Sequence, residues 1–331
     1  MHKMAYKKSV YIRAKEIMNK RRLDAERQQE MRHSQAVMRC PELLTLEREI
    51  ASYGAEVIKA VGMGADAGDF VRRLSVKSLE AQKKKAELLK NAGLSEDFLE
   101  PVYSCPVCKD TGTRAERICP CYTELVRQLA REELEEKASL SRHSFLNFNV
   151  NNYPDAEDKV LGVNQREQMT NVLSFCKSYA ADFSLKSPSL IMLGATGLGK
   201  THLSLAIAGE ALDRGYSVLY DSAHNIMNKL EAEHFGKDSF SESIREDLLK
   251  SDLLIIDDLG CEFVTQFTKA ELYNIINSRI LSSLPTIIST NCTARELEEK
   301  YTQRTASRIL GYYYPLAFCG RDVRQIVKKA P

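Results

Sequence analysis

The run Gly194-Ala195-Thr196-Gly197-Leu198-Gly199-Lys200-Thr201 follows the short apolar stretch Leu190-Ile191-Met192-Leu193 and opens the helix-like stretch His202-Leu203-Ser204-Leu205-Ala206-Ile207-Ala208. A buried strand, a glycine-rich turn and a helix in that order form a phosphate-binding loop. Glycines let successive backbone N–H groups converge on phosphate oxygens, Lys200 reaches the β- and γ-phosphates, and the Thr201 hydroxyl ligates Mg²⁺. The spacing is G-x-x-G-x-G with lysine next, which separates it from the dinucleotide fingerprint. Residues Gly194 to Thr201, with His202 beside them, are therefore the expected binders of a nucleoside triphosphate, ATP.

Two later strand ends complete the pattern. Leu253-Leu254-Ile255-Ile256-Asp257-Asp258-Leu259-Gly260 is an apolar run closing on two carboxylates. Asp257 is the expected holder of Mg²⁺, directly or through water, and Asp258 the group that polarises the attacking water. Glu262 is the alternative for that second task. Thr286-Ile287-Ile288-Ser289-Thr290-Asn291 is a further strand, whose Asn291 can orient the water. Ligands gather at such strand ends in open α/β sheets.

Helical stretches alternate with short runs that read as buried on both faces: Ser189 to Leu193, Ser217 to Tyr220, Leu253 to Ile256, Pro285 to Ser289 and Pro315 to Phe318. That alternation predicts a five-stranded parallel sheet with helices on both faces.

Together these strings resemble the AAA+ ATPases, and within them the DnaC/DnaI-type replicative helicase loaders and the related IstB-type transposition helpers. The resemblance rests on Gly199-Lys200-Thr201-His202-Leu203, Asp257-Asp258-Leu259-Gly260, Leu272-Tyr273-Asn274-Ile275-Ile276-Asn277-Ser278-Arg279, Ser289-Thr290-Asn291 and Ser307-Arg308-Ile309-Leu310, and covers roughly residues 145 to 328. It implies that Asn291 is the first sensor, Arg324 the second, and Arg308 the arginine that reaches a neighbouring subunit's ATP, with Arg304 and Arg279 as competitors for that role. An arginine supplied across subunits makes hydrolysis depend on assembly, so a nucleotide-dependent homo-oligomer is implied. Asp258 stands where many AAA+ proteins carry Glu, so slow hydrolysis is expected. An adaptor that holds ATP with little turnover is the bland alternative. The resemblance to loaders also implies that the helical lid common in AAA+ proteins is missing or truncated, as expected from how soon the sequence stops after Arg324.

Upstream, nine cysteines include Cys105, Cys108, Cys119 and Cys121 within one short stretch. An odd count so bunched is no disulfide framework. C-x2-C-x10-C-x-C supplies four thiolates for a closed, structural Zn²⁺ site, with an iron–sulfur cluster as the rarer reading and His143 as a distant substitute ligand. From about Val10 to Lys90 the composition predicts several helices, broken at Gly54 and at Gly62 to Gly68. Phe70 to Leu89 should bury Val71, Leu74, Leu79, Ala81 and Leu88.

These features divide the chain into a helical partner-binding region (1–100), a zinc module with its connecting helix (101–138) and the ATPase domain (139–331). The first 40 residues carry eleven Lys or Arg against four Asp or Glu, either a solvated helix face or an arm for something acidic. No stretch has the length of a membrane span or the apolar segment of a secretory signal, so a cytoplasmic protein is expected. The loader resemblance implies a hexameric helicase and single-stranded DNA as partners. The segment Asp221 to Gly236, with Lys229, His234 and Phe235, lies where this clade carries an extra helix and is a candidate DNA contact.

Overall fold

In the computed structural model residues 6–61, 67–115, 117–236 and 244–327 are described. Three helices lead: α1 (Lys8–Arg39), α2 (Glu42–Val61) and α3 (Ala67–Asn91). Gly54 falls inside α2 and does not break it. One interior glycine costs a helix only about 1 kcal/mol relative to alanine, and α2 has an apolar face to pack. The second expected break includes residues 62–66, which lie outside the described residues. Along α3 the buried positions are Leu74, Ala81 and Leu89, about two turns apart, whereas Leu79 is 57% exposed. Five residues past Leu74 is well off that stripe at 3.6 residues per turn. Glu47 of α2 joins the helices, accepting from His33 Nε2 of α1 at 2.7 Å and Lys85 Nζ of α3 at 2.8 Å. Ala36, Leu43, Leu89 and Leu99 form the small core beneath them.

A two-residue-per-strand hairpin follows, β1 (Thr113–Arg114) with β2 (Arg117–Ile118), and then α4 (Pro120–Ala138). Packing separates Lys15–Tyr122 as one unit from Thr123–Pro331 together with the chain up to Ala14 as the other. From Thr123 onward α4 thus belongs with the nucleotide unit, where Glu133 pairs with Lys7.

The nucleotide unit continues with α5 (Gln165–Ala181), β3 (Leu190–Leu193), α6 (Lys200–Asp213), β4 (Val218–Ser222), α7 (Ala223–His234), α8 (Ile244–Lys250), β5 (Leu253–Leu259), α9 (Gln266–Leu281), β6 (Thr286–Thr290), α10 (Ala294–Tyr301), α11 (Gln303–Tyr312), β7 (Tyr314–Ala317) and α12 (Val323–Val327). The five expected strands are present, in the order β4-β5-β6-β3-β7, all parallel. Every residue of β6 is buried, as a strand covered on both faces requires. Leu254, Ile256, Leu272, Ile276, Ile288 and Leu297 anchor the core.

Side chains cap the connecting helices. Thr265 and Thr268 close a reciprocal capping box on α9, Thr293 and Glu296 one on α10, and Asn164 caps α5 through the Glu167 N–H. No helix among the described residues is long and apolar enough to cross a membrane.

Candidate nucleotide-binding site

Gly199 caps α6 with φ +88°, a conformation that side chains rarely adopt, and a Cβ there would stand 2.6 Å from the Phe148 ring. Gly197, φ +79°, is still tighter: an added Cβ would lie 2.0 Å from Asp322 Oδ1. Both glycines are therefore required by backbone conformation and by crowding. The loop they permit aims the first N–H groups of α6 into a cleft of about 470 Å³, a size within the range of small-ligand pockets.

Lys200 lies in the first turn of α6, almost fully buried, and its Nζ donates to the carbonyls of Gly194 (2.7 Å) and Ala195 (2.8 Å). Burial lowers its pKa, against the opposing charges of Asp258 and Asp257. Thr201 Oγ1 reaches Asp257 Oδ2 at 2.9 Å and Oδ1 at 3.1 Å. Tyr220 of β4 donates to Asp257 Oδ2 at 2.9 Å, and Ser289 of β6 donates to Oδ1. Three strand or helix ends thus converge on one buried carboxylate.

Asp258 is set apart from Asp257 by a backbone device that its sequence does not announce. The register of β5 on β6 slips between Ile256 and Leu259, and Asp258 sits at φ +52° with its N–H donating to Ser289 Oγ at 2.9 Å. This bulge turns Asp258 out into the cleft while Asp257 stays in. Burial of the carboxyl and then the charge of Asp257 raise the Asp258 pKa; Lys200 and Arg324 oppose them.

The far wall comes from the stretch between α4 and α5. His143, Asn147, Phe148, Asn149, Asn152 and Tyr153 line the cleft. Phe148 stacks on Tyr153 at 5.8 Å between centroids, and the Tyr153 hydroxyl donates to Leu198 O at 2.8 Å. His202 meets Phe148 edge-on at 5.4 Å, hydrogen-bonds Ser144 O through Nε2 at 2.8 Å, and has its pKa lowered by burial. An aromatic- and asparagine-rich stretch just ahead of the first nucleotide-domain helix was the available signal for this wall. Tyr220 carried no signal beyond its strand, and Ser289 stood in a strand-end string without pointing to Asp257.

Arg324 lines the cleft, its N–H donating to Asp322 Oδ1 at 3.0 Å. Thr196, Gly197, Leu198, Gly199, Lys200, Thr201, His202, Asp257 and Asp258 line it too, but Asn291 and Arg308 do not. Asn291 is exposed just beyond β6. Arg308 is on α11, its Nε donating to Asn277 Oδ1 at 2.7 Å and its guanidinium 5.0 Å above the Tyr273 ring. Arg279 is wholly buried and satisfied within the fold, which removes it as a group for a neighbour. Glu262 is also engaged elsewhere, accepting from Gly260 N at 2.9 Å and from the Tyr301 hydroxyl. On and just after α7, Lys229 pairs with Asp221 at 2.8 Å, while His234 packs near Phe267 and Phe235 is 67% exposed.

In the other unit, the sulfurs of Cys105, Cys108, Cys119 and Cys121 all lie within 4.8 Å of one another. The Cys105–Cys119 and Cys108–Cys121 separations are 3.9 and 3.4 Å. Tetrahedral zinc with bonds of about 2.3 Å sets its sulfurs about 3.8 Å apart, so the cluster fits that ion. Buried Asp110 shapes the first pair's turn, accepting from the N–H groups of Ser104 (2.8 Å) and Cys105 (2.9 Å). Cys119 N donates to Gly112 O at 2.9 Å across the hairpin. His143 is no member of the cluster and lines the nucleotide cleft.

The model of the IstB-like ATP binding protein family matches residues 108–310, a span that contains the loop, both carboxylates and Arg308. The chain belongs to this family. This IstB-like chain is 32% identical to the replicative helicase loader DnaC of Escherichia coli (strain K12) over 143 residues, 43% of its own length and 58% of DnaC. It is 28% identical to DnaC of Buchnera aphidicola subsp. Acyrthosiphon pisum (strain APS) over 189 residues, 56% of the chain and 73% of that protein. The chain therefore spans less than two thirds of the E. coli protein. The crystal structure of the DnaC helicase loader aligns with a TM-score of 0.42 at 20% identity, over 53% of this chain and 98% of that one. The five-stranded parallel sheet expected from the sequence is the one observed, and the IstB-like chain is an ATP-binding protein by family.

Proposed function

We propose that this chain is an ATP-dependent loader that binds a hexameric replicative helicase and delivers it to single-stranded DNA, with ATP binding and hydrolysis as the switch. The similarity to DnaC carries this reading. The cleft supports its ATP-dependent part. Lys200 and the loop N–H groups from Gly194 to Thr201 would hold the phosphates, and Thr201 with Asp257 would hold Mg²⁺, which supplies charge neutralisation at the β- and γ-phosphates. Asp258 then polarises the water and Asn291 orients it. Arg324 acts from the same subunit. Arg308, outside its own cleft, acts on the neighbour's nucleotide in a homo-oligomer. Phe148 and Tyr153 offer an aromatic wall for the base.

In the same reading the cysteine cluster holds a structural Zn²⁺ in residues 101–138, and residues 1–100 grip the helicase. All four donors are thiolates, which suits closure around the ion and leaves no position for a substrate.

The family model favours a second reading, an IstB-type helper of a transposase. Native mass spectrometry of the full chain with the host's replicative helicase, with and without ATP, separates the two. A stoichiometric complex that responds to ATP, and loses that response in Lys200→Ala, is expected of the loader. No complex under any nucleotide condition would favour the transposase helper.

A further inference from the structure

Asp257 is 4% exposed, and three hydroxyls reach it from three elements. Thr201 serves both oxygens from α6, Tyr220 serves Oδ2 from β4, and Ser289 serves Oδ1 from β6. Thr201 is itself the expected Mg²⁺ ligand, so its hydroxyl oxygen has a second task when the ion is bound. Tyr220 has none, Ser289 also accepts from the Asp258 N–H, and these two are the groups left to fix the carboxylate's rotation.

Tyr220 reaches its target along the sheet. In the β4–β5 register it lies opposite Ile255, while Ser222 lies opposite Asp257. The phenol therefore spans two residues, about 7 Å along the strand, a distance that a serine or threonine at position 220 could not bridge. The backbone beneath it is pinned. Lys137 Nζ donates to Tyr220 O at 2.8 Å and to the Asp221 carboxylate, and Lys229 Nζ donates to Asp221 at 2.8 Å. Asp221 is 2% exposed, so this anchor lies inside the fold rather than on a solvated face.

We propose that Tyr220 is a positioning residue, whose hydroxyl holds Asp257 Oδ2 so that the carboxylate presents itself to a Mg²⁺ ion bound at Thr201. The inference rests on the Mg²⁺–ATP reading of the cleft. A metal-ligating carboxylate that is itself hydrogen-bonded loses about 10- to 100-fold in metal affinity when that outer partner is removed.

The test is Tyr220→Phe, which removes the hydroxyl and keeps the ring. Binding of a fluorescent ATP analogue is titrated against Mg²⁺, and separately in EDTA, for the wild-type chain and the variant, with a thermal melt of each. The expected result is a Mg²⁺ midpoint raised about tenfold or more, with metal-free nucleotide affinity and the melt close to wild type. An unchanged Mg²⁺ midpoint would overturn the proposal, as would an equal loss of affinity in EDTA, which marks general damage to the cleft. The wild-type arm stands alone: absence of Mg²⁺-dependent binding there would sink the Mg²⁺–ATP reading itself, whatever the variant does.

Discussion

Arg308 is held by Asn277, whose Oδ1 accepts from its Nε at 2.7 Å, and is stacked 5.0 Å above the ring of Tyr273. Two partners on α9 therefore fix the guanidinium in a direction. Its place outside the cleft of its own subunit suits action on a neighbour. Arg308→Ala is expected to leave ATP affinity within about twofold and to lower turnover by about 10³ or more. Mixing Arg308→Ala chains with Lys200→Ala chains should restore part of that turnover, because the intact cleft of an Arg308→Ala chain can then receive Arg308 from a Lys200→Ala neighbour. A steady-state phosphate-release assay of the single and mixed populations checks both expectations; no recovery on mixing would count against action across subunits.

The raised pKa of Asp258 gives a pH prediction with a definite sign. In the proposed role of Asp258 the ionised carboxylate polarises the water, so turnover should fall with acidification through a pKa above the usual aspartate range. The same shift bears on stability. The folded chain holds this proton more tightly than the unfolded one, so the ionised form costs stability above the folded pKa, and the cost vanishes below the unfolded value. Asp258→Asn should thus melt slightly higher than wild type at neutral pH while losing turnover. Turnover–pH profiles and paired thermal melts at neutral and acid pH test it; a variant that melts lower at neutral pH contradicts the assigned direction.

The sheet and its loop were legible because period and punctuation act locally: apolar runs of four to seven residues end in glycine or carboxylate, and only a covered parallel sheet buries such runs. The bulge that separates Asp257 from Asp258 was not legible. It depends on the Ser289 hydroxyl of another strand meeting the Asp258 N–H, a contact that no local pattern encodes. The wall formed by Phe148 and Tyr153 comes from a stretch with no strand or helix pattern of its own, and only the fold brings that stretch over Gly199. Gly54 shows the opposite failure, a strong local signal overridden by packing of α2 on α3. Glu262 and Arg279 read as chemistry because their residue types suit it. Their burial against Tyr301 and against the start of β6 assigns them to the fold instead.

If the cysteine cluster holds zinc, metal analysis of the purified chain should find one zinc per molecule. Cys108 and Cys119 are the buried pair, and Cys108→Ser or Cys119→Ser should reduce that content severely, since sulfur rather than oxygen suits a closed tetrahedral site. Chelation should raise hydrogen exchange over residues 101 to 122, a segment too small for a core of its own. Nucleotide affinity should persist, because the phosphate loop draws its contacts from Phe148, Asp322 and the sheet. A native zinc content near zero would reject the assignment.

Arg279 provides the control for every arginine argued to act on nucleotide. It donates to Thr286 Oγ1 at 2.9 Å and to the carbonyls of Leu248 (2.8 Å), Ser251 (3.0 Å) and Pro285 (2.7 Å), and no part of it is exposed. Burial lowers its pKa to about 10, still far above neutrality, so it remains a cation held by carbonyl dipoles. Arg279→Met fills much of the same volume but strips three carbonyls of their donor, and leaving buried acceptors unpaired costs about 1–3 kcal/mol apiece. A loss of about 3 kcal/mol or more is expected, a fall of about 10 °C in the melt for a unit of this size. Turnover per folded molecule, measured well below that melt, should remain within about twofold of wild type. The opposite pattern, an unchanged melt with lost turnover, would return Arg279 to the list of groups that act on ATP and weaken the case for Arg308.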